Sequence, residues 1–600
     1  MDLMELENNN AGGRNGLLIA AKTFGCRVNQ CETLSLLTQL RERGYGVTTA
    51  EPERAPDCVI VNTCAVTAEA ERKCRQYARH VSARYDGCPV ILLGCLPQLQ
   101  GEEAAPLADN VIYTAGSGGF ALAADFLDEY FGVSANGASE AALSELGGRH
   151  RAYVKLQDGC DSACSYCIIP KLRGPSRSRD PDAVIAEIGS LAARGVREAV
   201  LTGIETAAYG RDLPGSCGLI DLLEKIDALE LKVDMRIRLG SLDPAALNDG
   251  FIDRLAALRK FAPHIHLSLQ SGCDATLRSM RRKYNTAMVA RSVARLREAI
   301  PYIEFTADVI VGHPGETEQD FAQSLDFVRS LRLIHAHVFC YSKRPGTEAA
   351  SMEGQVPAAE KKRRLKLMER AVGECRSEIF NGYKGKSLHM LLEDATPRSG
   401  GATAVTGYSE NYIPCLLELS GASPGLAAGA IVAARAVGEQ DGALMVEPMK
   451  FYIASLLNNY EQVQCLAKML KAVGWIHTYD WTVQGPVKST DSETLGAIGE
   501  KEFDGVKNAD IVIVLTPQGR GTHTEFGMAI ALNKKIYLCH IDDKYFKCDE
   551  NTSSFYWLPQ VRRIVGSTEE IAMEVLRDNG INGEKPGFDN VSLAMSEGVD

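Results

Sequence analysis

Cys160, Cys164 and Cys167 lie within nineteen residues, LQDGCDSACSYCIIPKLRG, of a 600-residue chain that has 18 cysteines. What they can do depends on the compartment. The N-terminal MDLMELENNN is acidic and polar, unlike a secretory leader, and no run of about 18 apolar residues offers a membrane span. The expected location is cytoplasmic. There thiols stay reduced, so these residues read as ligands, catalysts or small core residues. A structural zinc site takes four nitrogen or sulfur ligands, usually in paired CxxC knuckles. The spacing here is CxxxCxxC, and the neighbouring histidines are as far away as His150 and His264. Three thiolates on a 4Fe–4S cube leave one iron open. An open iron can chelate the amino and carboxylate groups of S-adenosylmethionine, and one electron from the cluster then cleaves the sulfonium to a 5′-deoxyadenosyl radical.

Such a loop needs a rigid support. Near the N-terminus, LLIAAKT, CVIVN and PVILLG read as buried strands separated by helices, and each is followed by a cysteine: Cys26, Cys64 and Cys95. This βαβαβ pattern implies an open parallel α/β sheet with helices on both faces. Its carboxyl edge is where such sheets bind ligands. Ser134 to Gly148 reads as a linker. Alternation then restarts, with strands near 152–157, 197–203, 234–240, 264–270, 303–312 and 334–340. Asp180 and Pro181 mark one helix start, with Val184, Ile185, Ile188 and Leu191 as its buried face and Gly195 as its stop. Six β/α units imply a partial (β/α)6 barrel with chemistry at the strand C-termini, and the triple-cysteine loop follows its first strand.

From Ile379 the pattern becomes short strands and Gly-rich turns, which suggests a small β-barrel. At MKFYIAS alternation returns, giving a C-terminal doubly wound α/β domain; Met449 looks like the initiator of a second reading frame fused to the first. The expected organisation is thus α/β and multidomain. Its parts are an N-terminal domain over 16–133, a barrel over 149–378, a small β-barrel over 379–448, a C-terminal domain over 449–580 and a disordered tail over 581–600. The net charge is −12, which argues weakly against a nucleic-acid partner. Local basic clusters, Arg278 with Arg281, Arg282 and Lys283, and Lys361 to Arg364, are either solvated helix faces or phosphate contacts.

With these residues in view, the chain resembles the radical-SAM methylthiotransferases over about residues 16–448. TFGCRVNQCET, VNTCAVTAEAERK and LLGCLPQ match the family's three separated cysteines for a second cluster. RAYVKLQDGCDSACSYCIIP, RGPSRSR, RIRLGSLDP, HIHLSLQSGCD, DVIVGHPGETEQDF and HVFCYSKRPGT match elsewhere. The resemblance implies two 4Fe–4S clusters, one on Cys160, Cys164 and Cys167 and one on Cys26, Cys64 and Cys95. It also implies an S-adenosylmethionine pocket that includes Gly203, Glu205, Gln270 and Asp308. Implied partners are tRNA, a low-potential electron donor of flavodoxin or ferredoxin type and a sulfur source. The wording GCRVNQ, NTCAVT and KLQDGC is most similar to the branch acting on N6-threonylcarbamoyladenosine. Isopentenyladenosine tRNA, a ribosomal protein, or a non-catalytic iron–sulfur RNA-binding role are the alternatives.

The 379–448 segment resembles the TRAM domain that grips tRNA in this family, yet it carries more acids than bases. Affinity for tRNA is therefore expected from Arg173, Arg177, Arg179 and the Arg281–Lys283 cluster. Cys31 reads as a spare thiol. His266 and His337, on apolar strands, read as satisfied core histidines. In the C-terminal quarter, GRGTHTEFGMAIALNKK after ADIVIVL resembles the nucleoside 2-deoxyribosyltransferases. By that resemblance Glu525 is the nucleophile and Glu502 a partner acid. Arg520 stands where an acidic residue is often found.

Overall fold

The computed structural model describes residues 16–52, 54–85, 87–100, 110–116, 118–133, 151–215, 217–397, 402–420, 428–484, 491–516, 519–550 and 552–579. The expected linker and the expected C-terminal tail lie outside them. The chain divides into two compact units, Met1–Ile379 and Phe380–Asp600.

The first unit opens with β1 (Leu18–Thr23), α1 (Arg27–Glu42), β2 (Gly46–Thr48), β3 (Cys58–Thr63), α2 (Ala68–Arg84), β4 (Val90–Gly94), α3 (Cys95–Gln100), β5 (Val111–Ala115) and α4 (Phe120–Phe131). All five strands are parallel, in the order β2-β1-β3-β4-β5. Apolar clusters cover both faces of the sheet. Sequence periodicity finds only three of these strands. β2 is three residues long and β5 has no fully buried position, so neither carries an apolar run.

The barrel follows: β6 (Arg151–Asp158), α5 (Ile169–Arg173), β7 (Arg177–Ser178), α6 (Pro181–Ala193), β8 (Glu198–Gly203), α7 (Leu219–Asp227), β9 (Arg236–Leu239), β10 (Ser241–Leu242), α8 (Asp249–Ala256), β11 (His264–Gln270), α9 (Asp274–Ser279), α10 (Thr286–Ala299), β12 (Glu304–Val311), α11 (Glu318–Leu331), β13 (His335–Cys340) and α12 (Ala358–Tyr383). Two four-stranded sheets, β7-β6-β8-β9 and β10-β11-β12-β13, meet at the bridge between Ile237 and Phe261. Alternate residues such as Val154, Leu156, Ala199, Leu201, Ile265 and Leu267 pack outward against the helices. The opposite alternation points inward and is polar. There Glu198, fully buried, holds Arg238 and Arg151 at 2.8 Å each. The Asp180 cap forms as expected, its Oδ2 accepting from the Ala183 amide at 2.9 Å.

The second unit contains a closed barrel of β14 (Ser387–Pro397), β15 (Ala402–Ser409), β16 (Pro414–Ser420), β17 (Ile431–Gln440) and β18 (Ala443–Pro448). After it come β19 (Lys450–Ala454), α13 (Tyr460–Ala472), β20 (Ile476–His477), α14 (Ser492–Asn508), β21 (Ile511–Leu515), α15 (Arg520–Ala531), β22 (Lys535–His540), β23 (Val561–Val565) and α16 (Thr568–Asp578). These strands form a parallel sheet in the order β20-β19-β21-β22-β23. Among the described residues no helix is long and apolar enough to cross a membrane.

Candidate functional site

In the N-terminal sheet the chain reverses direction between β1 and β3, and ligands of such sheets sit outside the carboxyl ends at that crevice. Cys26 precedes α1 there, Cys64 follows β3, and Cys95 opens α3 after β4. Gly25 makes the first turn possible. Its φ is +105°, and a Cβ would come within 2.9 Å of Cys64 Cβ. Asn29, one turn into α1, then ties the edge together. Its Nδ2 donates to Asn62 Oδ1 at 2.9 Å and to the Thr63 carbonyl at 3.1 Å, while its Oδ1 accepts from Cys26 Sγ at 3.2 Å. Burial pushes the Cys64 thiol up to about 12, with Cys95 and Cys26 adding to the rise, and burial also raises Cys95, to which Cys26 adds. Cys74 on α2 also lies here, accepting from the Cys64 amide at 3.3 Å. Cys31 is pushed up to about 12 by its burial and remains a thiol.

The second set occupies the mouth of the barrel. Gly159, with φ +71°, ends β6 under the Pro175 carbonyl, 1.9 Å from where a Cβ would lie, and Cys160 follows. Cys160 Sγ donates to Glu205 Oε2 at 2.9 Å, and Ser162 Oγ donates to the same oxygen at 3.0 Å. Cys164 Sγ accepts from Arg282 Nη1 at 3.2 Å. The Cys167 amide donates to the Cys164 carbonyl at 3.1 Å. Burial, reinforced by Glu205, pushes Cys160 up to about 12, and burial takes Cys167 to about 11. In each case the desolvated sulfur resists ionisation until a cation offsets the charge.

Gly203 closes β8 beside Gln157, whose Oε1 accepts from the Glu205 amide at 2.9 Å. Gln157 is wholly buried and also donates to the Gly159 carbonyl at 2.7 Å and to Ser176 Oγ at 2.8 Å. It therefore fixes the rim on which Glu205 sits. Gln270 ends β11 at φ +64°, after a break in the register with β12; such a bulge re-aims a side chain. Asp308 is largely buried, which opposes ionisation. The hydrogen bond with His266 Nε2, at 3.2 Å, nevertheless holds its carboxyl below the usual range. His266 also meets Thr306 Oγ1 at 2.7 Å, so it is satisfied as expected. His337 is not a core residue: it is exposed along with His335 and Phe339 on one face of β13. His337 pairs in register with Asp308 on the inward face, and β13 ends its sheet, so no further strand closes the barrel over that side.

The two cysteine sets approach one another. Ala65 and Cys95 share one apolar cluster with Ile168, which directly follows Cys167, and with Leu172 on α5. Arg173, with a fully buried side chain, completes the junction. Its Nη1 donates to Glu32 Oε1 at 2.8 Å and to Asp158 Oδ1 at 3.0 Å, and its Nη2 to Glu32 Oε2 at 3.1 Å. Its charge also works against the rise of Cys95, and its Nε has no hydrogen-bond partner. Arg173 is therefore a structural cation and not a surface contact for nucleic acid. Arg282, paired with Asp243 at 2.8 Å and nearly buried, and Arg364, paired with Glu316 at 2.7 Å, leave the expected basic surface for the same reason. Arg177, Arg281 and Lys283 stay exposed, and Arg179 pairs with Glu187 at 2.7 Å.

Spacing rules for cysteines missed Asn29, Glu32, Gln157, Arg282 and Cys74. One signal was available on α1. Asn29, Glu32 and Thr33 share its buried stripe with Leu36, Leu37 and Leu40, and polar groups on a buried stripe must have partners.

In the second unit, Glu525 is buried on α15 and accepts from the Tyr452 hydroxyl on β19. Glu502 on α14 lies within electrostatic reach of it. Among the described residues, no three His, Cys, Asp or Glu side chains are arranged to hold a single metal ion.

Three family models match the chain: Radical SAM superfamily over residues 154–328, Uncharacterized protein family UPF0004 over 18–116, and Nucleoside 2-deoxyribosyltransferase over 451–587. The threonylcarbamoyladenosine tRNA methylthiotransferase MtaB of Thermotoga maritima is 33% identical over 409 residues, 66% of this chain and 90% of that one. Its namesake from Bacillus subtilis is 33% identical over 413 residues, 67% and 90% of the two chains. A tRNA-2-methylthio-N(6)-dimethylallyladenosine synthase of Desulfitobacterium hafniense is 32% identical over 407 residues, 66% and 90%. Covering nine-tenths of these relatives, and with a radical-SAM barrel behind a thiol-edged parallel sheet, the chain belongs to the radical-SAM tRNA methylthiotransferases.

Proposed function

We propose that this enzyme methylthiolates C2 of N6-threonylcarbamoyladenosine beside the anticodon of tRNA, with one 4Fe–4S cluster on Cys160, Cys164 and Cys167 and a second on Cys26, Cys64 and Cys95. The observation that carries this reading is the junction of the two sets through Ala65, Cys95, Ile168, Leu172 and Arg173. A radical centre and a sulfur store can serve one substrate atom only if they are neighbours.

The residues fit iron–sulfur clusters. Each set offers three sulfurs at the carboxyl ends of parallel strands, and Cys160 shares its rim with the Glu205 carboxylate at 2.9 Å. The Arg173 Nε is a buried donor without a partner beside Cys95, and a cluster sulfide would accept from it. When bound, the clusters and S-adenosylmethionine supply radical hydrogen abstraction and sulfur delivery. The chain does the rest. Arg282 directs an N–H at Cys164, and Arg173 places positive charge at Cys95. Gln157 fixes the Glu205 backbone at the rim, where Glu205, Gly203, Gln270 and Asp308 border the adenosylmethionine site. Asn29 holds Cys26 to the sheet edge. The apolar layer of Ile168 and Leu172 keeps water out between the sets.

The same reading divides the chain into a sulfur-cluster domain (16–133), the radical core (149–378), a TRAM-like barrel (379–448) that contacts tRNA and a doubly wound nucleoside-handling domain (449–580). It places the protein in the cytoplasm, served by a flavodoxin- or ferredoxin-type donor and a sulfur source. The threonylcarbamoyl substrate is supported by GCRVNQ and NTCAVT and by the names of two relatives. Mass spectrometry of tRNA nucleosides from a deletion strain tests it. Loss of the 2-methylthio group from threonylcarbamoyladenosine alone is expected. Loss from the isopentenyl nucleoside instead refutes the choice of substrate.

A further inference from the structure

The second unit carries a pair of carboxyl groups that the methylthiolation does not use. Its parallel sheet reverses between β19 and β21, so a ligand crevice is expected outside their carboxyl ends. Tyr452 lies on β19, and α15 leaves β21 at Gly519. The buried stripe of α15 is Thr522, Glu525, Phe526 and Ala529. A carboxyl at a position otherwise suited to leucine or methionine costs stability, and the Tyr452 hydroxyl offsets only part of that cost.

α14 brings in the second carboxyl by an unusually close approach. A Cβ on Gly505 would come within 2.8 Å of the Tyr452 ring and 2.9 Å of Tyr479 Cβ, and Thr478 Oγ1 donates to the Gly505 carbonyl at 2.8 Å. Glu502 lies one turn earlier on the same helix, and its charge reaches both Tyr452 and Glu525. Burial pushes Glu525 up to about 7 and raises Glu502. Leu456, following β19, lies against Gly519 at the start of α15, 2.5 Å from where a Cβ would stand. The amino end of α15 is thus bordered on one side by an apolar side chain, while Arg520 opens the helix.

Two carboxyls, one buried under a tyrosine hydroxyl and one on the facing helix, are the equipment of glycosidic-bond cleavage. The first unit, as a radical-SAM enzyme, releases 5′-deoxyadenosine whenever S-adenosylmethionine is cleaved, in one-to-one proportion with the fused second unit. That product keeps the adenosine group by which S-adenosylmethionine is recognised, and so competes with it.

We propose that the second unit hydrolyses the N-glycosidic bond of 5′-deoxyadenosine, removing the by-product of the first. This rests on the radical-SAM reading of the first unit. The ionised Glu525 forms a bond to C1′ as the bond to N9 breaks, and adenine leaves with the electron pair and a proton from Glu502. Water then attacks C1′, gives its proton to Glu502 and releases 5-deoxyribose with Glu525 restored. No oxidant or reductant is needed. Tyr452 orients Glu525 and is a positioning residue.

The test uses the full-length chain without iron, so that radical chemistry is silent, with 5′-deoxyadenosine added and adenine followed by chromatography. Adenine release is expected, and Glu525→Gln should lower it by at least about a hundredfold. Glu502→Gln should impair 5′-deoxyadenosine cleavage far more than cleavage of a riboside with a nitrophenolate leaving group, which needs no proton; a merely structural role would lower both alike. Release no faster than from Glu525→Gln, or faster release from 2′-deoxyadenosine than from 5′-deoxyadenosine, overturns the proposal. Hydrolysis of added 5′-deoxyadenosine by a chain that, once loaded with iron and sulfide, cleaves no S-adenosylmethionine would locate the failure in the first unit.

Discussion

Replacing Arg173 by methionine tests the junction between the two cysteine sets. The guanidinium is fully buried and faces Glu32 and Asp158, both nearly buried. Lys155 meets the same carboxylates at 2.9 and 2.8 Å, so the wild-type group holds two cations against two anions. Without Arg173 one buried negative charge is uncompensated, which costs about 3–5 kcal/mol when a partner is removed from a buried pair. The assay is urea unfolding of the metal-free chain, followed at the transition of the first unit. Asp158 gives the pH signature. Although burial raises its pKa, Arg173 and Lys155 hold it down to about 2. Stability from a depressed carboxyl is present above its unfolded value, about 3.9, and is lost as pH falls through the folded value. The variant's deficit should therefore be greatest near neutrality and shrink below about pH 4. Adding Glu32→Gln should recover part of it. A deficit under about 1 kcal/mol at neutral pH, as for a solvent-screened surface pair, would refute the reasoning.

Three further outcomes follow from the same geometry. Gly25→Ala forces a Cβ against Cys64 Cβ at a φ of +105°, so the reconstituted protein should lose about half of its iron while still cleaving S-adenosylmethionine. Glu525→Gln should stabilise the second unit at pH 8 by up to about 3 kcal/mol, from a shift of the carboxyl from 4.5 to about 7 at about 1.4 kcal/mol per unit. The wild-type carboxyl favours folding below its unfolded value and loses that advantage as pH rises through about 7. The gap between the two melting temperatures should therefore close toward pH 4.5. Arg177→Glu with Lys283→Glu should lower the salt slope of tRNA binding by about one per residue. The buried Arg282 to glutamine should leave that slope unchanged.

The folds were legible where periodicity and burial coincide. β3 and β4 are continuous apolar runs, and the Asp180-Pro181 start of α6 is written in its capping chemistry. The thiols were legible because cysteines just past strand ends, Cys26, Cys95 and Cys160 after a glycine and Cys64 directly after β3, and the CxxxCxxC spacing are local patterns. Arg173 was not, since its sequence neighbourhood, KLRG, looks like a surface turn. Only folding shows that α5 packs beneath α3 with Glu32, 141 residues away, as its counter-ion. The same holds for Arg282, read as part of a basic run until Cys164 and Asp243 appear as its partners. Long-range ion pairs leave no periodic trace. Glu525 was found through a motif, but its Tyr452 partner joins it across 73 residues.

Iron and sulfide content, together with S-adenosylmethionine cleavage, measured on anaerobically reconstituted wild type, Cys64→Ala and Cys160→Ala, tests the two-cluster claim most directly. The account predicts about eight irons per wild-type chain. Cys64→Ala should retain about four irons, cleave S-adenosylmethionine and transfer no sulfur, whereas Cys160→Ala should lose cleavage altogether. About four irons in the wild type, bound zinc, or full methylthiolation by Cys64→Ala would contradict it.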